Sequence, residues 1–368
     1  MATNKHIRMN TFFELLQFAA GTRDSVSTLP AGREEWEELF NVTGKHNLLG
    51  VTFPVIDALH DETEIPLSVY SRWAMAAEKI EQKNIAHKEA CRKLYTYFSD
   101  NGFRSCIFKG QAVARLYPRP ELRQCGDIDI WLEGERDAIV EFLRARFPLR
   151  KIIYIHCDVQ MLMGISVEVH FTPSWVNNPF RNRRMQAFFK ELSQEQFSNY
   201  CELLGCNVPT RRFDAVYMMT HIYRHVLTEG IGLRQLLDYY YVLKDLPLSE
   251  RERVLADLKH LSLSRFAAGV MYVLSTVFGA PQSLLLLPPD KVLGEFLIEE
   301  IMLSGNFGKY DPRNVHDSNE GKFAHASRKL RRNAKFMRFF PGEIVWMPFF
   351  ILWQYFWRRK HNYLYKGR

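Results

Sequence analysis

Phe108-Lys109-Gly110-Gln111-Ala112-Val113 and, ten residues on, Arg123-Gln124-Cys125-Gly126-Asp127-Ile128-Asp129-Ile130-Trp131-Leu132 decide how this chain folds. The first piece reads as a strand end, a tight glycine turn and the start of a helix. The second sets two aspartates on alternate positions of an apolar segment. Residues two apart in a strand share a side, so Asp127 and Asp129 aim together while Ile128 and Ile130 point the other way. Two close carboxylates repel unless a cation lies between them. An oxygen-donor pair of this kind suits Mg²⁺. A bare Asp-x-Asp is more often two solvent-facing positions of a half-buried strand. Here a third acid follows. Val167-Glu168-Val169-His170-Phe171 alternates again and puts Glu168 and His170 on one face, the valines on the other. A sheet that brings Glu168 beside Asp127 and Asp129 completes a three-carboxylate metal site.

Lys109-Gly110, Tyr117-Pro118, Arg123, Gly126-Asp127-Ile128-Asp129 and Val167-Glu168-Val169-His170, continued by His221, His225, Arg234 and Asp238, form an ordered set. It resembles the nucleotidyltransferase superfamily of the DNA polymerase β type, and more narrowly its poorly characterised bacterial nucleotidyltransferase-like members. The resemblance implies an α+β fold: a small mixed nucleotidyltransferase sheet with helices, flanked by N-terminal and C-terminal helical regions. It implies a metal-dependent nucleotidyltransferase that moves a nucleoside monophosphate from a nucleoside triphosphate such as ATP to an acceptor hydroxyl. Asp127, Asp129 and Glu168 are then the catalytic ligands of Mg²⁺ or Mn²⁺, and Glu168 is a candidate acceptor of the hydroxyl proton. Lys109, Gly110, Arg123, Gly126, His221, His225 and Arg234 become candidate nucleotide contacts. The pattern departs from the superfamily at its first element, where Gly-Gly or Gly-Ser usually precedes the helix. Lys109-Gly110-Gln111 keeps the glycine that admits the phosphates but not the small hydroxyl. That loss supports the rival reading, a non-catalytic nucleotide-binding or membrane-proximal scaffold protein; the three retained acids oppose it.

Other residues bear alternatives. His221 and His225 lie four apart and share a helix face, a spacing that can serve zinc. Ile222 stands where a zinc-protease helix has glutamate, and no third ligand follows. Arg123 either neutralises charge on the phosphates or orients Asp127 or Asp129 by an ion pair. Arg234 and Asp238 share a face and form either an intrahelical ion pair or a contact over the triphosphate.

The chain of 368 residues carries a net charge of +8, which favours an anionic partner such as a nucleotide, nucleic acid or phospholipid surface. A nucleic acid is not otherwise indicated, because the basic cluster around Arg331 and Arg332 lacks interleaved aromatics. Six cysteines without a Cys-x-x-Cys pair fit the reducing cytoplasm, and no signal-peptide core follows the N-terminus. The pattern divides the chain into a helical region over 1–88, a nucleotidyltransferase-like core over 89–205 and a C-terminal helical domain over 206–368. Residues 305–328 read as a polar loop. Phe336 to Arg368 combines aromatics with cations, and Pro348 interrupts its apolar run. That run is too short to span a membrane. It is expected to dock on the body of the protein, with peripheral membrane contact as the alternative.

Overall fold

The computed structural model describes residues 2–61, 63–311, 313, 331–361 and 363. Four helices come first: α1 (Ala2–Ala20), α2 (Arg33–Lys45), α3 (Leu49–His60) and α4 (Leu67–Asp100). The sheet region follows as β1 (Ser105–Phe108), α5 (Gly110–Ala114), β2 (Ile128–Leu132), α6 (Arg136–Arg144), β3 (Leu149–Ile152), β4 (His156–Leu162) and β5 (Ile165–His170). Then come α7 (Pro179–Gln196), the short strands β6 (Tyr200–Cys201) and β7 (Cys206–Asn207), α8 (Arg211–Thr228), α9 (Leu233–Asp245), α10 (Leu248–His260), α11 (Ser264–Phe278) and α12 (Lys291–Ser304). Helical residues over 331–337 (α13) lead to α14 (Pro341–Ile344) and α15 (Met347–Lys360). The fold is α+β with helices at both ends, as the sequence pattern implies.

The five-stranded sheet has the order β1-β2-β5-β4-β3, and only the β2–β5 pair is parallel. Alternation in the strands makes its two faces different. Ile107, Ile128, Ile130, Val167, Val169, Cys157 and Val159 are buried on one side with Ala90, Cys91, Leu94 and Phe98 of α4 and Ile139, Val140 and Leu143 of α6. On the other side Phe108 meets Tyr217 of α8 edge-on at 5.0 Å, and Trp131 stacks near Phe213 at 5.8 Å. Beside these aromatics the second face turns polar, and the candidate site lies there.

Some elements differ from the sequence reading. Helical patterns expected on either side of residue 88 join into the single 34-residue α4, which runs across the expected 88/89 boundary. Good helix formers continue through that point, and no glycine or proline breaks them. The stretch 151–159, expected as one strand, splits into β3 and β4. Met163-Gly164 does turn the β4–β5 hairpin, with Gly164 at φ +74°. Of the expected loop over 305–328, residues 312 and 314–328 lie outside the described residues. Arg332, in the basic cluster, is buried and donates to the carbonyls of Val226, Leu227 and Thr228 at the end of α8.

The C-terminal helix docks by one side. Trp353 and Trp357 lie against Tyr154 at 5.5 and 6.2 Å, Phe350 stacks on Trp175 at 4.3 Å, and the Arg136 guanidinium covers Tyr154 and Trp357. Its other side leaves Phe349, Leu352 and Phe356 exposed. Among the described residues no helix is long and apolar enough to cross a membrane.

Candidate functional site

Asp129 occupies the second position of β2, and its register partner on β5 is Glu168, which in turn faces Asp158 on β4. One residue pair further along, Trp131, His170 and His156 form the next row. Pleating therefore projects Asp129, Glu168, Asp158, His170 and His156 from the same sheet face. Asp127 sits one residue ahead of β2 rather than within it. The alternation still holds, and carboxylate oxygens of Asp127, Asp129 and Glu168 lie within 4.8 Å of one another.

The loop bearing Asp127 is held from below by α4. Asn84 donates to the carbonyls of Glu121 and Arg123, both at 2.7 Å, and accepts from Gln111 at 2.7 Å. His87 Nε2 lies 2.9 Å from the Gly126 carbonyl. The first motif turns sharply: Lys109 has φ +56° and Gly110 φ +36°. A lysine in that region is strained, and such strain concentrates at functional sites. A β-carbon on Gly110 would meet the Asp127 carbonyl at 3.6 Å, an ordinary contact. The backbone angle, not crowding by the protein, is what calls for glycine there.

Charge around the acids is unevenly compensated. The Lys109 ammonium contacts Asp129, and His170 Nε2 lies 3.0 Å from the same carboxylate oxygen. Burial drives the Asp127 carboxyl up to about 7, and repulsion from Asp129 and Glu168 adds to it. Burial also works against charge on Glu168. A hydrogen bond with His170 and the fields of His156 and Lys109 outweigh it and hold that carboxyl well below the usual range. His170 is raised: burial opposes its charge, but Asp129 and Glu168 overcome that.

Across a cavity of about 360 Å³, α8 and α9 supply the opposite wall, with His221, Arg224, His225, Arg234 and Asp238 among its lining residues. The cavity also touches Lys109, Gly110, Arg123, Gly126, Lys151, Glu229 and Phe307. Every residue expected at the site thus borders one space. Arg123 and Asp238, however, are already committed. The Arg123 Nε and Nη2 each donate to Asp238 at 2.7 Å, and the Tyr117 hydroxyl donates to it at 2.7 Å. Arg123 therefore orients neither Asp127 nor Asp129, and Arg234 forms no hydrogen-bonded ion pair with Asp238. Instead Arg234 Nη1 donates to the Gln124 carbonyl at 2.5 Å. Arg123 Nη1 and Arg234 Nε are buried with no hydrogen-bond partner among the described residues.

His221 and His225 lie with ring centroids 4.4 Å apart. No metal-ligating group of three among the described residues includes them. Burial pulls His221 well down, and burial with the Arg224 charge pulls His225 down to about 4, so both are neutral at neutral pH. The sequence reading passed over His156 and Asp158 as site residues, although His156-Cys157-Asp158-Val159 carries the same alternation as β2 and β5.

A model of the family described as uncharacterised nucleotidyltransferase matches residues 32–279, more than half of the chain. No curated protein matches the sequence. The chain belongs to that nucleotidyltransferase family.

Proposed function

From this membership, we propose that the protein is a metal-dependent enzyme that transfers a nucleoside monophosphate from a nucleoside triphosphate to an acceptor hydroxyl. The convergence of Asp127, Asp129 and Glu168 opposite partnerless guanidinium donors carries the reading. Three carboxylates with no thiolate among them fit a hard divalent cation, so Asp127, Asp129 and Glu168 would hold Mg²⁺ or Mn²⁺. When bound, such an ion stabilises charge developing on the transferred phosphoryl group.

The remaining work falls to the chain itself. Lys109 fixes the Asp129 carboxylate in place before substrate arrives, which removes reorganisation from the reaction. Arg234 and the free edge of Arg123 offer N–H donors to phosphate oxygens, a charge-assisted contact. Lys109 and Gly110 sit where the phosphates approach the turn. Gly126, His221 and His225 border the same space, where neutral imidazoles suit a sugar or base. Glu168 is assigned as a ligand, because its carboxylate converges with those of Asp127 and Asp129. All six cysteines are free, which supports a reducing, cytoplasmic setting.

The test is incubation with each α-phosphate-labelled nucleoside triphosphate, Mg²⁺ or Mn²⁺ and a cell extract, followed by a search for labelled acceptor. Asp129→Asn should lower labelling by more than the roughly 10–100-fold that removing a mere outer-shell partner of a metal costs. No label from any nucleotide, or full labelling by the folded variant, removes the proposal.

A second reading concerns location. The exposed Phe349, Leu352 and Phe356 of α15 run at helical spacing into Arg358, Arg359 and Lys360, a pattern suited to the interface of an anionic membrane. Co-sedimentation with phosphatidylserine vesicles should be lost on changing these three apolar residues to serine. Equal sedimentation by that variant ends this reading.

A further inference from the structure

We propose that His156, Glu168 and His170 form a second metal site, one that takes a borderline ion of the zinc type. It shares Glu168 with the three-carboxylate cluster but has two imidazoles in place of the two aspartates, and the inference does not depend on nucleotidyl transfer. The β4–β5 register pairs His156 with His170, and Glu168 projects from the same face. His156 Nδ1 lies 3.1 Å and His170 Nε2 3.3 Å from the same Glu168 oxygen, Oε2. One ligand atom from each residue falls within 4.8 Å of the others. Two imidazoles and one carboxylate make a familiar donor set for zinc that leaves a further position open, whereas an all-oxygen cluster suits magnesium.

The outer nitrogens strengthen the case. Histidines that bind metal usually give their other N–H to a carboxylate or a carbonyl, which fixes the tautomer and aims the lone pair. Both rings have such an oxygen near the outer nitrogen. His156 Nε2 lies 3.1 Å from Asp158 Oδ1, and His170 Nδ1 lies 3.4 Å from the Thr172 carbonyl oxygen. A separate observation comes from His156 itself. The residue is 8% exposed, and its Nδ1 is paired with Glu168 Oε2 at 3.1 Å. It is a buried nitrogen aimed at Glu168 with nothing but a close carboxylate before it. His156, Asp158 and Glu168 line the cavity, so an ion has a path in. An ion there would take up the inward Nδ1 and Glu168 Oε2 together. Asp158 is then a positioning residue for His156.

Co²⁺ is the probe, because its visible absorption reports both binding and geometry. The full-length protein, stripped with chelator, should bind Co²⁺ with an intense band of low-coordinate type that millimolar Mg²⁺ does not bleach and Zn²⁺ does. His156→Asn and His170→Asn should each weaken Co²⁺ binding at least about tenfold, and Asp158→Asn by roughly 10–100-fold, the range for losing an outer partner. Asp127→Asn, which alters only the acid cluster, should leave the band in place. Absence of a band in the wild-type protein overturns the proposal. So does unchanged Co²⁺ affinity in folded His156→Asn, or loss of the band in Asp127→Asn, which would put the ion among the three acids. If His170→Asn fails to fold, His156→Asn and Asp158→Asn, both at the cavity wall, still decide the matter. Labelling by nucleoside triphosphate with Mg²⁺ in the presence of a zinc-selective chelator tests the acid site separately.

Discussion

On the sheet side of the cavity, Asp127, Asp129 and Glu168 crowd together, and the Asp127 carboxyl is driven up to about 7 by burial and by its neighbours. On the helix side, Asp238 is buried and accepts two hydrogen bonds from Arg123 and one from Tyr117. Burial raises its carboxyl, yet the Arg123 charge outweighs that and holds it low. The same residue type therefore meets opposite fates a short distance apart. A cluster that settles its own charge stabilises the fold. A cluster that leaves charge unsettled is kept for a ligand. The Arg123–Asp238 pair ties the loop ahead of β2 to α9, and so fixes the distance between the acids and the cationic wall.

The largest expected effect follows from that division. Removing one member of a buried pair strands the other without compensation, at a cost of about 3–5 kcal/mol. Arg123→Ala and Asp238→Asn should each lower the melting temperature sharply in calorimetry, whereas Asp129→Asn should not. The comparison breaks if Arg123→Ala melts like the wild type and loses only nucleotide binding. Arg123 would then belong with the open cluster.

Arg234 stands between the two clusters. One nitrogen is tied to the Gln124 carbonyl, and another is buried without a partner. A hydrogen bond to a charged group is worth about 1.5–3 kcal/mol, so Arg234→Gln should weaken nucleotide binding by about tenfold or more. Its melting temperature should fall less than that of Arg123→Ala. Titration calorimetry with a non-hydrolysable triphosphate measures the first quantity. An unchanged affinity moves Arg234 to the structural side.

The two clusters were not equally legible in the sequence. Alternation in a strand has a period of two, so same-face placement of Asp127 with Asp129 and of Glu168 with His170 could be read directly. Nothing local says which residue an arginine will meet 115 positions away, and Arg123–Asp238 is such a contact. His221 and His225 could be placed on one face of a helix, but the partners across the cavity come from other elements. Two local signals were passed over. His156-Cys157-Asp158-Val159 alternates like the other strands, but reading 151–159 as one strand hid the turn between β3 and β4. Asn178-Pro179 announces α7: the Asn178 side chain accepts from the amides of Phe180 and Arg181, and proline fits the first helical position.

The smallest expected effect concerns the closed side and depends on pH. Leu233 opens α9, the helix that carries Arg234 and Asp238, and its amide donates to His46 Nδ1 at 3.3 Å. His46 is fully buried, and burial with the neighbouring Lys45 charge pulls it down from 6.5 to about 3. An accepting Nδ1 must be unprotonated. The folded state therefore binds a proton less readily than the unfolded chain, and unfolding takes up protons as pH falls below 6.5. Stability from this group is complete above about 6.5 and drains away as pH drops toward 3. At pH 5 the loss amounts to about 1–2 kcal/mol for a fully buried imidazole. His46→Gln retains an acceptor for the Leu233 amide but cannot titrate. Its melting temperature should fall less than that of the wild type between pH 7 and pH 5. Parallel profiles for the two proteins would show that the start of α9 is not pinned by a neutral His46. The acid sensitivity of the closed cluster would then have to come from elsewhere.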